Sequence, residues 1–596
     1  MNYFFNSLNE SQKKAAFFID GSSLILAGAG SGKTRVLIAK VIYLIKEKKI
    51  SPSSIMMITF TNKAAFEMKK RINKELGSSC KLAYVGTFHS FGSFVLRRFW
   101  KEAEIKKNFL IYDENDQLSL IREIVKKEKI EKLSPAFFAY YIKLAKNEMI
   151  SPEDFLEKFS FDKKNLLSQV YYLYQKALEK NNALDFDDLL LKTVFLFKKN
   201  YSVLDFYQKQ LNYFLIDEFQ DTNFLQYELI KILASKAKHI AAVGDFSQSI
   251  YSWRGAKMEN LLAFQRDFSK VYIFYLEKNY RSTQKILDFA YKVIANNQTH
   301  PILKLYTDNH EGEDVEIFEA ENEEEEAVFV AKIILEIKKS FNFFKENIAV
   351  LYRINAQSRI LEEVFLNFGI PYILVGGIRF YERKEIKDIL AFIRLLIYPN
   401  DHLSLERVKK LGKKRFNLYK NFYEKIKLDL RNYSTNEIIE KILKETDYLS
   451  LYQSGSEEDL SRLENINELR SVADNFPNLI DFLDQVTLVE SEYFEDEKKI
   501  DIKNKVTLMT LHQAKGLEFD YVFIVGVEEG LLPHSRSFDD YSALEEERRL
   551  FYVGITRAKK KLYISFAKKR FIFGRRQYSF RSRFLEGLIE DKIYSG

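Results

Sequence analysis

The sequence predicts an α/β protein with two parallel-sheet domains, each interrupted by a mainly helical insertion. Three observations carry this expectation. Short apolar runs alternate with helical patterns in two separate regions, as strands do when helices cover both faces of a parallel sheet. Two stretches, 98–193 and 381–499, lose that alternation and read as helical. At 596 residues the chain is also too long for one hydrophobic core.

In chain order, Ser23-Leu24-Ile25-Leu26-Ala27 reads as a buried strand, followed by a Gly-rich turn and a helix from Lys33. Ile55 to Phe60 repeats the pattern. Tyr213 to Ile216 and Ile240 to Val243 are two more short strands, each running into acidic residues. In such a sheet, ligand groups collect at the carboxyl ends of the strands. A second strand-rich region begins near Val271 and includes Ile348 to Tyr352, Val506 to Met509 and Tyr521 to Val525. The expected boundaries are therefore 1–97 and 194–275 for the first sheet domain, with 98–193 inserted. The second domain takes 276–380 and 500–596, with 381–499 inserted. Acidic runs at Glu323 to Glu326 and Glu492 to Glu497 read as solvated faces without chemistry.

Composition narrows the class without naming a function. The chain is 46% hydrophobic and 30% charged, which fits a soluble folded protein. No apolar run is long enough to span a bilayer, and Met1-Asn2-Tyr3-Phe4-Phe5 lacks the features of a signal peptide. Cys80 is the sole cysteine, so an internal disulfide framework and a cysteine metal site are excluded, and a cytoplasmic location is the default expectation. A net charge of +8 is a mild hint of a polyanionic partner. Most of the 51 Phe and 35 Tyr are expected in cores, with a few free to stack on bases.

The chemistry begins at Gly28-Ala29-Gly30-Ser31-Gly32-Lys33-Thr34, between a strand and a helix. Small residues let backbone N–H groups wrap phosphates, and the helix N-terminus adds a positive dipole. Lys33 can reach the β/γ-phosphates of ATP, and the Thr34 hydroxyl can bind Mg²⁺. The common pattern has Gly five places before Gly32, where this chain has Ala27. Such a loop needs a metal-binding carboxylate at the end of another strand, and Asp217 follows Phe214-Leu215-Ile216. Glu218, next in sequence, is suited to take a proton from the attacking water. Alone, an Asp-Glu pair after an apolar run is an ordinary helix start; with the phosphate loop it implies hydrolysis.

These segments and several others resemble the UvrD/PcrA/Rep group of superfamily 1 helicases over nearly the whole chain. Leu8-Asn9-Glu10-Ser11-Gln12 is similar to that family's adenine-reading start, which implies Gln12 on the base. Asp217-Glu218-Phe219-Gln220-Asp221-Thr222 resembles its Walker B segment. Val243 to Gly255, containing Gln248-Ser249-Ile250-Tyr251-Ser252-Trp253-Arg254, resembles the next motif and implies Gln248 at the γ-phosphate. Asn279-Tyr280-Arg281-Ser282 and Val553-Gly554-Ile555-Thr556-Arg557-Ala558 imply two arginines, Arg281 and Arg557, that serve the γ-phosphate from the second sheet domain. Charge on the transferred phosphoryl must be neutralised, and an arginine finger contributes about a thousandfold or more in rate. The resemblance further implies RecA-like sheet domains, Tyr280 stacked on adenine, Arg35 beside the nucleotide and Glu518 on the ribose.

For DNA, Phe60-Thr61-Asn62-Lys63, Gly86-Thr87-Phe88-His89-Ser90-Phe91 and Tyr251 to Arg254 resemble the family's single-strand contacts. Aromatic faces hold bases without reading sequence, at roughly 1–3 kcal/mol per base, while polar groups hold phosphates. The expected contacts are Phe60, Thr61, Asn62, Thr87, His89, Tyr251, Trp253 and Arg254, with His512 and Phe573. Core packing is a close rival for Phe60 and Phe88. The implied protein is an ATP-dependent helicase or translocase on single-stranded DNA, 3′→5′ by resemblance, acting in repair, replication or recombination. It would engage single/double-strand junctions and repair or replication proteins, as a monomer or transient dimer.

Three departures bear on this. Phe246-Ser247 stands where acidic or small residues are expected before Gln248. Val408 to Arg415 replaces a Gly-containing turn for duplex contact. The chain ends soon after Phe584, leaving little room for a C-terminal partner-binding extension or an added nuclease. Rival readings are a translocase that strips proteins but unwinds poorly, and a nucleotide-switched DNA-binding scaffold. Intact Glu218, Gln248, Arg281 and Arg557 argue against the latter.

Overall fold

In the first unit, the strand runs β1 (Ser22–Ala27), β2 (Ile55–Thr59), β3 (Tyr84–Thr87), β4 (Tyr213–Ile216), β5 (His239–Gly244) and β6 (Val271–Leu276) form one six-stranded sheet. Its order is β3-β2-β4-β5-β1-β6, and every pair is parallel. The computed structural model describes residues 3–130, 133–158, 164–340, 346–375, 379–453, 456–474, 476–483, 486, 505–572, 575–588 and 593–595.

Strand side chains alternate between the two faces, and both faces are covered. Leu24, Leu26, Met56, Ile58, Phe214, Ile216, Ile240 and Ala242 enter one core. Ile25, Ala27, Ile55, Met57, Leu215, Ala241 and Val243 enter the other, with Val36, Leu37 and Val41 of the helix Lys33–Lys46 packed on them. Burial on both sides explains why the strands read as unbroken apolar runs.

The first insertion contains the helices Glu114–Lys127, Pro135–Asn147 and Lys164–Lys180, and a pair of three-residue strands, Leu110–Tyr112 with Ala183–Asp185, whereas the helix Phe186–Lys199, expected largely within it, buries Leu189, Leu190, Val194 and Phe197 in the core of the first sheet. It has a separate core around Ile121, Phe138, Ile142, Val170 and Tyr174.

The second unit holds a seven-stranded parallel sheet of β7 (Glu316–Ala320), β8 (Ile348–Tyr352), β9 (Tyr372–Leu374), β10 (Val506–Thr510), β11 (Phe519–Ile524), β12 (Ala558–Ala567) and β13 (Ile593–Ser595). The order is β9-β10-β8-β11-β12-β7-β13. Its inserted helices, such as Lys384–Ile397 and Thr435–Glu445, share one buried cluster with the sheet residues Val350, Leu508 and Phe523. Among the described residues, no helix is long and apolar enough to cross a membrane.

One expected division is corrected. The strand at Val271 does not open the second region; it pairs along its full length with β1, from Ser22 against Val271 to Ala27 against Leu276. The first unit then continues through Arg281 and takes back 297–308, so Arg281 sits in the first unit rather than the second. The reason is local. Asn279 is buried and its amide donates to the Ala29 carbonyl at 2.7 Å, while Tyr280 N donates to Gly30 O at 3.0 Å. These bonds tie the segment after β6 to the phosphate loop.

Candidate functional site

The phosphate loop leaves β1 at its carboxyl end and turns into the helix Lys33–Lys46. Gly30 and Gly32 have φ of 65° and 85°, the left-handed region that favours glycine. A Cβ on Gly30 would also lie 2.6 Å from the Asn279 amide. Ala27, the departure from the common pattern, is the last residue of β1 and fully buried. A strand position asks nothing of glycine, so alanine is accommodated. Lys33 reaches back over the loop, 3.4 Å from both Ala27 O and Gly28 O and 3.9 Å from an Asp245 carboxylate oxygen.

Asp217 stands at the end of β4, two strands from β1, and its Oδ2 accepts a hydrogen bond from the Thr34 hydroxyl at 3.0 Å. The sheet thus unites the two groups that the sequence separated by 183 positions. Burial, and then the neighbouring Glu218, push the Asp217 carboxyl up to about 7. A hydroxyl beside a buried carboxylate that a second acid crowds is a donor set suited to a hard divalent cation, so these residues fit Mg²⁺.

Glu218 is half-buried with φ 50° and ψ 44°, an unusual conformation for a residue with a Cβ. Such strain costs on the order of 1 kcal/mol or more and persists where surroundings enforce it. Gln220 holds the Glu218 side chain: the Gln220 amide donates to Glu218 Oε2 at 2.6 Å, and its carbonyl accepts Asp245 N at 3.0 Å. Asp245 Oδ2 in turn accepts the Gln248 amide at 2.6 Å. A chain of polar contacts thereby links Glu218 to Gln248 across the ends of β4 and β5. Gly244 makes room for it, since a Cβ there would meet Gln220 Oε1 at 2.6 Å. The Phe246-Ser247 departure is structural: Phe246 is buried in the core, and Ser247 Oγ lies 3.1 Å from His300 Nε2.

On the nucleotide side, Gln12 is fully buried, and both ends of its amide are engaged. Its Nε2 donates to Ser31 O at 2.9 Å, and its Oε1 accepts Asn9 N at 3.1 Å in a capping box. Asn9 also donates to the Tyr280 hydroxyl at 2.8 Å, leaving that ring 43% exposed. Arg35 donates to Ser7 Oγ at 2.6 Å. Arg281 N is held by Asn279 Oδ1 at 2.7 Å, and the Arg281 Cβ lies within 2.9 Å of where a Gly30 Cβ would stand.

Aromatic groups gather past the ends of β2 and β5. Phe60 and Tyr251 stack with ring centroids 5.8 Å apart, and Tyr251 meets Trp253 edge-on at 6.2 Å. Trp253 is 43% exposed. Thr61 and Thr87 cap the helices Asn62–Leu76 and Phe88–Arg98, and Asn62 is exposed. Phe88 is buried in the core, so packing accounts for it. Burial, and then Lys143, hold the His89 ring down to about 4, so it is neutral at pH 7 and contacts Phe186 edge-on at 5.9 Å.

Within the second unit, Glu518 is exposed and pairs with Lys559 at 2.8 Å, and His512 is half-buried. Arg557 is 1% exposed and donates to Val553 O, Leu517 O and Thr556 Oγ1. Phe573 and the Arg254 side chain lie outside the described residues.

The first unit therefore brings together Gln12, the loop 28–34, Arg35, Asp217, Glu218, Gln248, Tyr280 and Arg281. Sequence reasoning missed Gln220, Gly244, Asp245 and Asn279, which position them. Their signal was adjacency, since each lies within four residues of a named site residue.

Comparison with known proteins gives a consistent result. A family model described as the UvrD/REP helicase N-terminal domain matches residues 8–269, and one described as the UvrD-like helicase C-terminal domain matches 274–433 and 408–569. The ATP-dependent DNA helicase PcrA of Staphylococcus aureus (strain Mu50 / ATCC 700699) is 40% identical over 645 aligned residues, covering 100% of this chain and 88% of the relative. The protein of that name from Staphylococcus epidermidis (strain ATCC 12228 / FDA PCI 1200) is 40% identical over 647, with the same coverage.

Proposed function

The chain belongs to the UvrD/REP helicase family and is an ATP-dependent DNA helicase, and on that premise we propose a motor that travels 3′→5′ on single-stranded DNA with Glu218 as its hydrolytic base. The observation that carries the mechanistic part is the arrangement of Thr34, Asp217 and the strained, Gln220-held Glu218 past the carboxyl ends of β1 and β4.

Lys33 and the N–H groups of residues 30–34 bind the phosphates of ATP, while Tyr280 stacks on adenine. Gln12, buried against Ser31, supports the loop from behind, and Arg35 and Glu518 serve the rest of the nucleotide. Thr34 and Asp217 would hold Mg²⁺, which would supply positive charge to the phosphates. Glu218 accepts a proton from the attacking water, and the contacts through Gln220 and Asp245 keep it in register with Gln248. Arg281 and Arg557 supply positive charge to the transferred phosphoryl.

Phe60, Tyr251 and Trp253 provide the stacking track for bases, with Thr61, Asn62, Thr87 and His89 beside it and His512, Arg254 and Phe573 completing it. Trp253→Ala is expected to weaken binding of an oligo(dT) strand by roughly 1–3 kcal/mol, about five- to 150-fold, with ATP affinity unchanged. Fluorescence anisotropy of a labelled strand measures it, and equal affinity in the variant would remove Trp253 from the track.

Single/double-strand junctions are the proposed substrate and repair or replication the setting, with the protein acting in the cytoplasm as a monomer or transient dimer. Direction is tested by strand displacement on duplexes with 3′ or 5′ single-stranded tails. Unwinding from the 3′ tail alone is expected; unwinding from the 5′ tail alone would reverse the proposed polarity.

A further inference from the structure

A chain of polar contacts passes through Asn147, at the end of an insertion helix, to Asn223, five residues past Glu218. Three carboxylates, Asp185, Asp187 and Asp188, stand at the start of the helix Phe186–Lys199. The fully buried Lys146 pairs with two of them, 2.6 Å from Asp185 and 2.9 Å from Asp188, and the Tyr174 hydroxyl also donates to Asp185. Asp187 bonds instead to the neighbouring Asn147, whose Nδ2 donates to it at 2.9 Å and to Lys143 O at 2.9 Å. Asn147 Oδ1 accepts Nδ2 of Asn223 at 2.6 Å.

Asn223 is five residues after Glu218 and caps the helix Phe224–Leu233, its Oδ1 accepting Gln226 N at 2.8 Å. It also forms a backbone bridge with Ala256, just beyond Trp253. Beside this link, Lys257 pairs with Glu148 at 2.6 Å and its N–H donates to Thr222 O at 3.1 Å.

The chemistry leaves one orientation. The Lys143 carbonyl only accepts, so the NH₂ of Asn147 must face Lys143 O and Asp187, and its oxygen must face away. The oxygen of Asn223 is taken by the helix cap, so its NH₂ must donate to Asn147. Donation therefore runs from Asn223 to Asn147 to Asp187. At the far end, the 48% exposed ring of Phe186, adjacent to Asp187, packs on His89 of the proposed strand track.

We propose that the Asn223–Asn147–Asp187 chain couples strand occupancy to hydrolysis, with Asn147 and Asn223 as positioning residues for the Glu218 segment. This rests on the motor reading above. Displacement of the insertion or of the Phe186–His89 contact by a bound strand would pull on Asn223 and so on the backbone that holds Glu218. A mutation along a coupling chain commonly changes coupling several-fold without touching either ligand.

The test uses the full chain with Asn147→Ala, Asn223→Asp, Asn223→Ser and the Asn147→Ala/Asn223→Ser double variant. Ser and Asp both preserve the cap, and Asp places a carboxylate against Asn147 Oδ1. ATP turnover is measured with and without oligo(dT), together with strand affinity and thermal melting. Each variant is expected to lower DNA-stimulated kcat by about fivefold, with the DNA-free rate, the KM for ATP and strand affinity held within about twofold. The double variant should be no worse than the more affected single one, because both cut the same chain. Unchanged stimulation in Asn223→Asp and Asn147→Ala, or equal loss of stimulated and DNA-free rates, overturns the coupling role. A wild type without DNA stimulation would instead overturn the motor reading itself.

Discussion

Glu218→Gln is expected to lower DNA-stimulated ATP turnover by about a thousandfold while leaving binding of ATP and single-stranded DNA intact. The substitution keeps the size of the side chain and removes only its capacity to take a proton. The backbone strain at φ 50° is the same for Gln as for Glu, so the loop has no new reason to shift. One local change is foreseen: the amide of Gln220 now donates to Glu218 Oε2, and a Gln at 218 must present its carbonyl oxygen there. Removing the Glu218 charge also relieves one of the influences that raise the Asp217 carboxyl, which favours its ionised, cation-binding form. Nucleotide affinity should therefore hold or tighten as turnover collapses. Steady-state hydrolysis with and without oligo(dT), beside equilibrium binding of a nucleotide analogue, separates the two. Turnover within tenfold of the wild type would show that the proton goes elsewhere.

Arg281→Ala is expected to cost a similar factor, about a thousandfold in kcat, with Arg281→Lys recovering little of it. A lysine carries the charge but lacks the planar fork that meets two phosphate oxygens together. The guanidinium hangs from a backbone fixed independently of it: Asn279 holds Arg281 N and, through Ala29, the phosphate loop. Loss of the side chain should thus leave the loop in place, and the variant should melt with the wild type. A fall seen chiefly in KM, with kcat preserved, would make Arg281 a ground-state phosphate contact instead.

The phosphate loop, the carboxylate pair and the alternation of strands and helices were legible because each is local. A Gly-rich turn between an apolar run and a helix needs only consecutive residues to announce itself, and so does an acid at a strand end. The first insertion was legible for the same reason, through loss of alternation. Less legible was where the first unit ends. The boundary at 275/276 cut the strand Val271–Leu276 one residue short, and only its full pairing with Ser22–Ala27 shows that the first unit runs on past it. Arg281 followed that strand into the first unit, against the boundary drawn at 275/276. Phe88 was ambiguous for a related reason: an aromatic beside a capping threonine has the same sequence whether it faces a core or a base, and burial decided for the core.

By itself, the sequence determined the chemical inventory and its strand-end placement, since loop geometry, helix polarity and hydrophobic period are properties of neighbouring residues. Only the tertiary structure decided which groups share a site. Thr34 meets Asp217, Gln220 ties Glu218 to Asp245, Asn279 ties Arg281 to the phosphate loop, and Asn223 reaches Asn147. Strand order and side-chain hydrogen bonds set those distances, and neither is written in the spacing of residues along the chain.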